Sequence, residues 1–332
     1  MKAMVLKAPE AIEKSPLKYE KTEDPHPGQG EVRIKIRACG VCHTDLHVVE
    51  GELVLPKLPI IPGHKIVGIV DETGSDVTRF KKGDRLGVPW LYSTCRDCEF
   101  CRQGLENLCE NARFTGLHVN GGFAQFVVVP EAFSYPVPEG FPDIQAAPLL
   151  CAGIIGYRAL RLCEIKPGER LGMYGFGASA HVTIQIARHM GCEVYVFTRS
   201  EKHRKHAETL GASWTGTADD KPPAELDGSI IFAPAGELVP KALNVLRKGG
   251  TLSLAGIYMT PLPSIDYQLI YGERTVRSVA NSTRKDAEEL LGLAREIPIH
   301  TDVETFPLDQ ANEVLQRLKR SEINGAAVLE IP

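Results

Sequence analysis

Four cysteines fall within fifteen residues, Cys95, Cys98, Cys101 and Cys109, in the run CRDCEFCRQGLENLC. The gaps of two, two and seven residues suit a single tetrahedral metal held by four thiolates. Zinc takes sulfur at about 2.3 Å, and a closed four-thiolate shell leaves no position open for chemistry. The segment has little apolar periodicity, so a metal must supply what a small core cannot. Free buried thiols or two disulfides are disfavoured in so short and polar a loop, while an iron–sulfur cluster would also accept four thiolates. A second set is dispersed: Cys42 in CGVCHTDLH, His64 in PGHKIVG and Cys151 in LLCAGI. Two thiolates and one imidazole would leave a fourth position for water or substrate. No spacing rule joins these three, and each alone reads equally well as a buried thiol or a satisfied core histidine. Cys39, Cys163 and Cys192 read as structural cysteines.

A third signal concerns phosphate. Between a short apolar strand, Leu171–Tyr174, and a helical pattern from His181 lies Gly175-Phe176-Gly177-Ala178-Ser179-Ala180. Gly175 would permit a tight turn, and Gly177 would let the backbone approach a pyrophosphate. Ala180, in the third small position, still allows close helix–strand packing. The helix start beyond it would offer free N–H groups to the phosphates. The next strand, Val194–Phe197, runs into Thr198-Arg199-Ser200, with Arg204 one turn on. An acid at that strand end would bind both ribose hydroxyls and repel a 2′-phosphate. Its absence, with Arg199 able to pair with a phosphate, favours NADP(H) over NAD(H).

These residues need elements to position them. The chain of 332 residues is long enough for two domains. Its first third is rich in short β-like runs, VRIKIRA, IVGIVD and FAQFVVV, separated by Pro27-Gly28, Pro62-Gly63 and Gly121-Gly122. From about Cys151 the pattern changes to alternating helix and strand, which implies a parallel sheet covered on both faces. There Pro240–Leu246 reads as a helix, Gly249-Gly250 as its stop and Thr251–Gly256 as a strand. Leu308–Arg320 reads as a helix, and Ala326–Ile331 as a last strand. A formal net charge of -4 argues against a general nucleic-acid binder. The basic stretch Lys202–His206 reads as a solvated helix face. MKAMVLKAPE lacks the apolar core of a leader, and no run approaches the ~18 apolar residues of a membrane span. The nine cysteines therefore read as reduced ligands and thiols of a cytoplasmic protein that uses no membrane.

The motifs GVCHTDLH, PGHKIVG, the four-cysteine run, NGGFAQF, LLCAGI, the glycine-rich turn and NGAAVLEI together resemble the zinc-dependent medium-chain alcohol dehydrogenases, closest to the microbial propanol-preferring type. The resemblance covers essentially the whole chain. It implies an α/β fold with a GroES-like β catalytic domain over 1–150 and 283–332, carrying a structural-zinc lobe at 95–109. A Rossmann domain with a doubly wound parallel sheet would occupy 151–282. It further implies two zincs per chain, with Cys42, His64 and Cys151 as ligands of the catalytic one; this ligand set is among the general examples known for catalytic zinc. Thr44 then matches the hydroxyl that contacts the alcohol, His47 the relay that passes its proton to water, and Asp45 the carboxylate that orients His64. His43 matches a residue near the cofactor pyrophosphate, and the resemblance places Trp90 and Leu91 along the substrate pocket, with ordinary packing beneath the lobe as the alternative. The implied reaction interconverts small primary alcohols and aldehydes by hydride transfer with a nicotinamide cofactor. A homo-dimer or homo-tetramer is expected, with the β-like segment Tyr267–Ala280 read either as a contact region or as an internal one. His118, His181, His189, His203, His206 and His300 match no chemical role.

Three departures from that family stand out. Lys65 follows the ligand histidine, where a Glu is usual. Turned inward, its ammonium would oppose the metal; turned outward, it would be solvated. The ribose acid is absent, as noted. Ala326-Ala327 stand where many relatives place an Arg near the cofactor phosphates. Two other functions compete: an NADPH-dependent reductase of activated C=C bonds, whose members generally lack both zinc sites, and a non-catalytic zinc-and-nucleotide-binding module disabled by Lys65.

Overall fold

Alternation in VRIKIRA buries Val32, Ile34 and Ile36 and leaves Lys35 and Arg37 exposed, as a strand with one covered face requires. In the computed structural model, which describes residues 1–297, 299–323 and 325–332, this run is the long strand Glu31–Val41. It pairs antiparallel with Lys65–Thr73, with Phe126–Pro130 and with the C-terminal strand Ala326–Glu330. The last of these pairs parallel with Val303–Pro307, so the end of the chain returns to complete the sheet that the beginning started. Residues Ala326–Glu330 of the NGAAVLEI motif form that strand; the first residue of the motif, Asn324, is outside the described residues. Ile34, Ile36, Ile66, Phe123, Val127 and Leu329 share the core beneath. The chain divides into two compact units, and Met1–Cys151, Thr283–Glu296 and His300–Pro332 form the first.

The second unit comprises Ala152–Ser282 and Ile297–Ile299. It is built on a six-stranded sheet in the order Trp214–Gly216, Glu193–Phe197, Arg170–Tyr174, Leu226–Ile231, Leu246–Leu254, Thr275–Ser278. Every neighbouring pair is parallel. Helices Ala178–His189, Glu201–Thr209 and Leu238–Asn244 supply crossovers. Tyr174, Phe197, Leu226, Ile231 and Leu252 form an apolar core there. The α/β architecture expected from the sequence, a GroES-like β domain and a Rossmann sheet, is the one observed.

Several local expectations require correction. Gly249-Gly250 do not stop a helix: the helix ends at Asn244, and both glycines lie inside the strand Leu246–Leu254, where the pairing register shifts. Tyr267–Ala280 is only partly extended, with a 3-10 turn at Tyr267–Leu269 and a strand at Thr275–Ser278. The basic stretch is not wholly solvated, since the His206 ring meets Phe176 edge-on at 5.6 Å. One helical run, Asp143–Cys163, does reach the length and hydropathy of a membrane span, at 21 residues and mean hydropathy 1.3. Its most apolar window is 72% buried within the protein, as a core helix is.

Candidate active site and its metal centres

The strand Glu31–Val41 delivers the chain into the helix His43–Glu50, with Cys42 at its N-cap. Asp45, in the first turn, is 1% exposed. Its Oδ2 accepts the Cys42 N–H at 2.9 Å, and its Oδ1 accepts the Gly63 N–H at 3.2 Å and faces His64 Nδ1 at 3.0 Å. One carboxylate thus holds the helix start, the turn before His64 and the imidazole. Gly63 takes φ +100 there, and a Cβ on it would meet the Phe123 ring at 2.5 Å, so only glycine serves. With Nδ1 donating to Asp45, His64 presents Nε2 toward Cys42 Sγ, 3.4 Å away. Burial pulls the imidazolium down, but Asp45 and the Cys42 thiolate hold the His64 pKa up at about 10.

Cys151 arrives from elsewhere. It sits in a π-helical turn, Leu149–Gly153, that follows Pro148 and interrupts the helical run. Such wide turns re-aim a side chain within a helix. The donor atoms of Cys42, His64 and Cys151 all lie within 4.8 Å of one another, inside the first unit. Hydrogen bonding from Cys151 drives the Cys42 thiol well below its ordinary range, with Lys65 and His64 assisting, and lifts Cys151 correspondingly. One imidazole and two cysteine sulfurs, of which Cys42 is poised as the thiolate, are the donor set of an open zinc site, one ligand short of a closed shell.

Lys65 turns inward. It is 2% exposed, and its stem packs over Gly40, where a Cβ would collide with Lys65 Cδ at 2.7 Å. Burial alone would depress its ammonium, yet the neighbouring Cys42, Cys151 and Asp45 raise it above the ordinary lysine value. The sequence carried a sign of this in Gly40, a small residue opposite Lys65 in the register of the two paired strands.

Thr44 is 7% exposed, and His47 lies one turn along the same helix face. His47 Nδ1 bonds the Glu52 carboxylate. Gly51 ends the helix at φ 78, and Glu52 N–H returns to the His47 carbonyl at 2.9 Å, bringing its side chain back to the imidazole. Sequence reasoning passed over Glu52, although Gly51 was the signal that could have found it. His43 is exposed at the helix start. Trp90 is partly exposed, its ring 6.0 Å from that of His64, whereas Leu91 is buried at 2% exposure.

The four-cysteine run forms a separate knuckle. Its four sulfurs lie within 4.8 Å of one another, with Cys95 to Cys109 at 3.5 Å and Cys95 to Cys101 at 3.8 Å. Tetrahedral zinc with bonds of about 2.3 Å requires sulfurs about 3.8 Å apart. Backbone N–H groups of Asp97 and Cys98, with Cys109, lower the Cys95 thiol to about 6. The knuckle is tied to the first unit through Glu106, whose Oε1 accepts the backbone N–H of Arg284 at 3.0 Å and its Nε–H at 3.1 Å.

In the second unit the glycine-rich turn joins Arg170–Tyr174 to the helix Ala178–His189. Gly175 takes φ +87 beside Ala233, while a Cβ on Gly177 would meet nothing within 4 Å. The backbone at Gly177, Ala178, Ser179 and Ala180 therefore offers an open cradle at a helix start, which fits a pyrophosphate. At the end of the next strand, the Thr198 N–H is tied to the Gly216 carbonyl at 2.8 Å. The Ser200 hydroxyl caps the following helix by accepting the His203 N–H. Arg204 donates to the Thr198 and Arg199 carbonyls, at 2.9 and 3.3 Å, and Arg199 is exposed.

Comparison with known proteins agrees with this geometry. Residues 28–139 match the family model of the alcohol dehydrogenase GroES-like domain, and residues 180–296 that of the zinc-binding dehydrogenases. The chain is 46% identical to the "probable alcohol dehydrogenase AdhA" of Mycobacterium tuberculosis, over 100% of this chain and 97% of that protein. Among solved structures, a cinnamyl alcohol dehydrogenase of Sorghum bicolor superposes with TM-score 0.90 at 32% identity, covering 99% of this chain and 97% of that one. A Helicobacter pylori protein described as CAD complexed with NADP(H) superposes with TM-score 0.89 at 26% identity, with the same coverage. The protein is an enzyme, an alcohol oxidoreductase that uses zinc and a nicotinamide cofactor; the C=C reductase and the non-catalytic module are not favoured. The chain belongs to the zinc-dependent medium-chain alcohol dehydrogenase family.

Proposed function

We propose that this enzyme interconverts small primary alcohols and aldehydes at the Cys42–His64–Cys151 centre, with a second, structural zinc in the Cys95–Cys109 knuckle. The carrying observation is the convergence of those three donors within 4.8 Å of one another, with Cys42 at the N-cap of the helix that also bears Thr44 and His47. When bound, zinc supplies Lewis acidity toward the substrate oxygen, and the nicotinamide takes or gives the hydride. The chain's own residues do the rest. Cys42, His64 and Cys151 would hold that zinc, and Asp45 engages His64 Nδ1 so that Nε2 faces the site. During alcohol oxidation the hydroxyl proton passes to Thr44 and then to His47 Nε2. The Glu52 carboxylate accepts from Nδ1–H, and so keeps Nε2 free to receive the proton.

The first unit carries this chemistry, and the second binds the cofactor at its glycine-rich turn. NADP(H) is preferred over NAD(H): no acid closes the strand Glu193–Phe197, and exposed Arg199 with Thr198 can receive a 2′-phosphate. Ser200 and Arg204 hold the turn in shape, the former as a cap and the latter by its carbonyl contacts. Trp90 forms the pocket wall over His64, with buried Leu91 behind it.

The enzyme forms a homo-dimer or homo-tetramer. The supporting surface is the edge strand Thr275–Ser278, all exposed, with Tyr267 at 67% and Tyr271 at 62% exposure beside it. The reduced thiol ligands suit the cytoplasm. Metal analysis with steady-state oxidation of 1-propanol tests the whole. Two zincs per chain and a higher kcat/KM with NADP than with NAD are expected; one zinc per chain would refute the pair of centres.

A further inference from the structure

Four rings stand in a row beside the reaction site. The indole of Trp90 tilts over His64, with centroids 6.0 Å apart. The same indole stacks on Phe114, at 4.3 Å and 23°. Phe114 in turn meets His118 at 5.5 Å. The backbone enforces this row. Leu91 and Phe114 are partners across the antiparallel pair Leu91–Ser93 and Arg113–Phe114, so the residue before Leu91 is brought against the Phe114 ring. Thr115 N–H donates to the Trp90 carbonyl at 2.8 Å, and the fully buried Thr115 hydroxyl donates to the Pro89 carbonyl at 3.1 Å. The turn behind Phe114 is closed from both ends. His118 N–H donates to the Phe114 carbonyl at 2.9 Å, and Phe114 N–H donates to His118 Nδ1 at 3.3 Å.

We propose that Phe114 is a specificity-determining positioning residue, which sets the plane of the Trp90 indole and so the width of the substrate pocket beside His64. This rests on the reading of Cys42, His64 and Cys151 as the reaction site. An indole wall has two torsions to fix. His64 meets the ring only at a tilt and leaves those torsions open; the near-parallel Phe114 face closes them. His118 braces Phe114 from behind, so the wall is a braced column and not one side chain. A wall held in this way excludes a branch at the carbinol carbon. A wall free to swing admits it, at little cost to a straight primary alcohol. The discrimination at stake is that of about one methyl group, on the order of 10-fold or more in kcat/KM.

The test compares 1-propanol with 2-propanol in the zinc-loaded enzyme. Phe114→Leu should lower the ratio of their kcat/KM values about 10-fold, mainly through a lower KM for 2-propanol, with kcat for 1-propanol and zinc content little changed. Phe114→Tyr, which keeps the stacked face, should restore the ratio. The chain has two tryptophans, so a Trp214→Phe background isolates Trp90 fluorescence. In that background Phe114→Leu should lower the anisotropy and shift the emission. An unchanged ratio and unchanged Trp90 emission in Phe114→Leu would overturn the proposal. If that variant does not fold, His118→Ala should move the ratio the same way by about threefold, and no movement would be equally fatal. Trp90→Ala separates the layers of the argument. If it leaves the ratio untouched, the pocket assignment itself is wrong. If it collapses the ratio while Phe114→Leu does not, only the role of Phe114 is lost.

Discussion

Among the described residues two clusters of sulfur donors stand out, and they are built in opposite ways. The knuckle at Cys95–Cys109 takes four ligands from one short loop and sits near the surface, with Cys95 exposed. The centre at Cys42, His64 and Cys151 takes three ligands from a helix start, a strand entry and a π-helical turn, and is wrapped by buried Asp45 and Lys65. The first would satisfy a metal completely and could then only brace the fold. The second leaves one position open and surrounds its ligands with charge, so it can be tuned. A closed shell contributes folding energy; an open one contributes chemistry.

The sharpest way to break this comparison is to remove a ligand from each. Cys42→Ala or Cys151→Ala should lower alcohol oxidation by about 10³-fold or more, since Lewis-acid assistance is worth several kcal/mol, with fold and cofactor binding largely kept. Substantial turnover in both variants would mean that this centre is not where the reaction occurs. Cys98→Ser should act on stability instead. Loss of the knuckle metal should lower the melting temperature by about 5 °C or more, at roughly 2–4 °C per kcal/mol, and expose the loop to protease. A full zinc complement with an unchanged melting temperature in Cys98→Ser would show that the knuckle is not a metal site.

A smaller effect is expected along the proton exit. Thr44→Val should cut kcat by about 10²-fold with zinc retained, because it removes the first hydroxyl of the relay. His47→Ala should cost less, about 10-fold, since water can replace a terminal relay. Solvent isotope effects on kcat would report the difference. If His47→Ala proved as damaging as Thr44→Val, the imidazole would be an obligatory carrier and not a replaceable one.

The two clusters were also unequally legible. The knuckle could be read from spacing alone, because all its ligands lie within one loop whose geometry the spacing fixes. The open centre could not, because Cys42, His64 and Cys151 meet only through the pairing of Glu31–Val41 with Lys65–Thr73 and the turn at Leu149–Gly153. There the family resemblance supplied what periodicity lacks. The βαβ unit and its glycine-rich turn were plain, since period and turn chemistry are local. Gly249-Gly250 misled because glycine punctuation looks alike in a helix stop and in a strand irregularity. Glu52 and Phe114 escaped because a carboxylate beyond a helix end and an aromatic in a two-residue strand carry no periodic signal. The direction of Lys65 follows alternation in the strand and the room left by Gly40, which becomes evident only once the register is known.

Lys65 gives the subtlest test of the comparison, because it alters the tuning of the open centre without touching a ligand. In a bound site the two thiolates offset the metal charge, and Asp45 adds one negative charge through His64. An inward ammonium then stands against the cation with almost no water to screen it, at 2% exposure. Had Lys65 extended into solvent, changing its charge would have had little effect. Lys65→Glu should therefore raise zinc retention, since removing a positive charge beside a cation is worth about 1 kcal/mol or more at an effective dielectric near 20. That corresponds to about fivefold or more slower loss to a chelator, with dehydrogenase activity raised in step. Lys65→Met isolates the charge from the shape, because it keeps the unbranched stem over Gly40 and discards only the ammonium. The order of retention should be Glu, then Met, then the parent Lys. Zinc stoichiometry after timed chelation, read beside ethanol oxidation with NAD and NADP, decides it. Equal retention in all three would defeat the electrostatic account. Lower activity in both variants with zinc retained would instead give the buried ammonium a positive role in the site, as the counter-charge to Asp45 and the two thiolates that it faces.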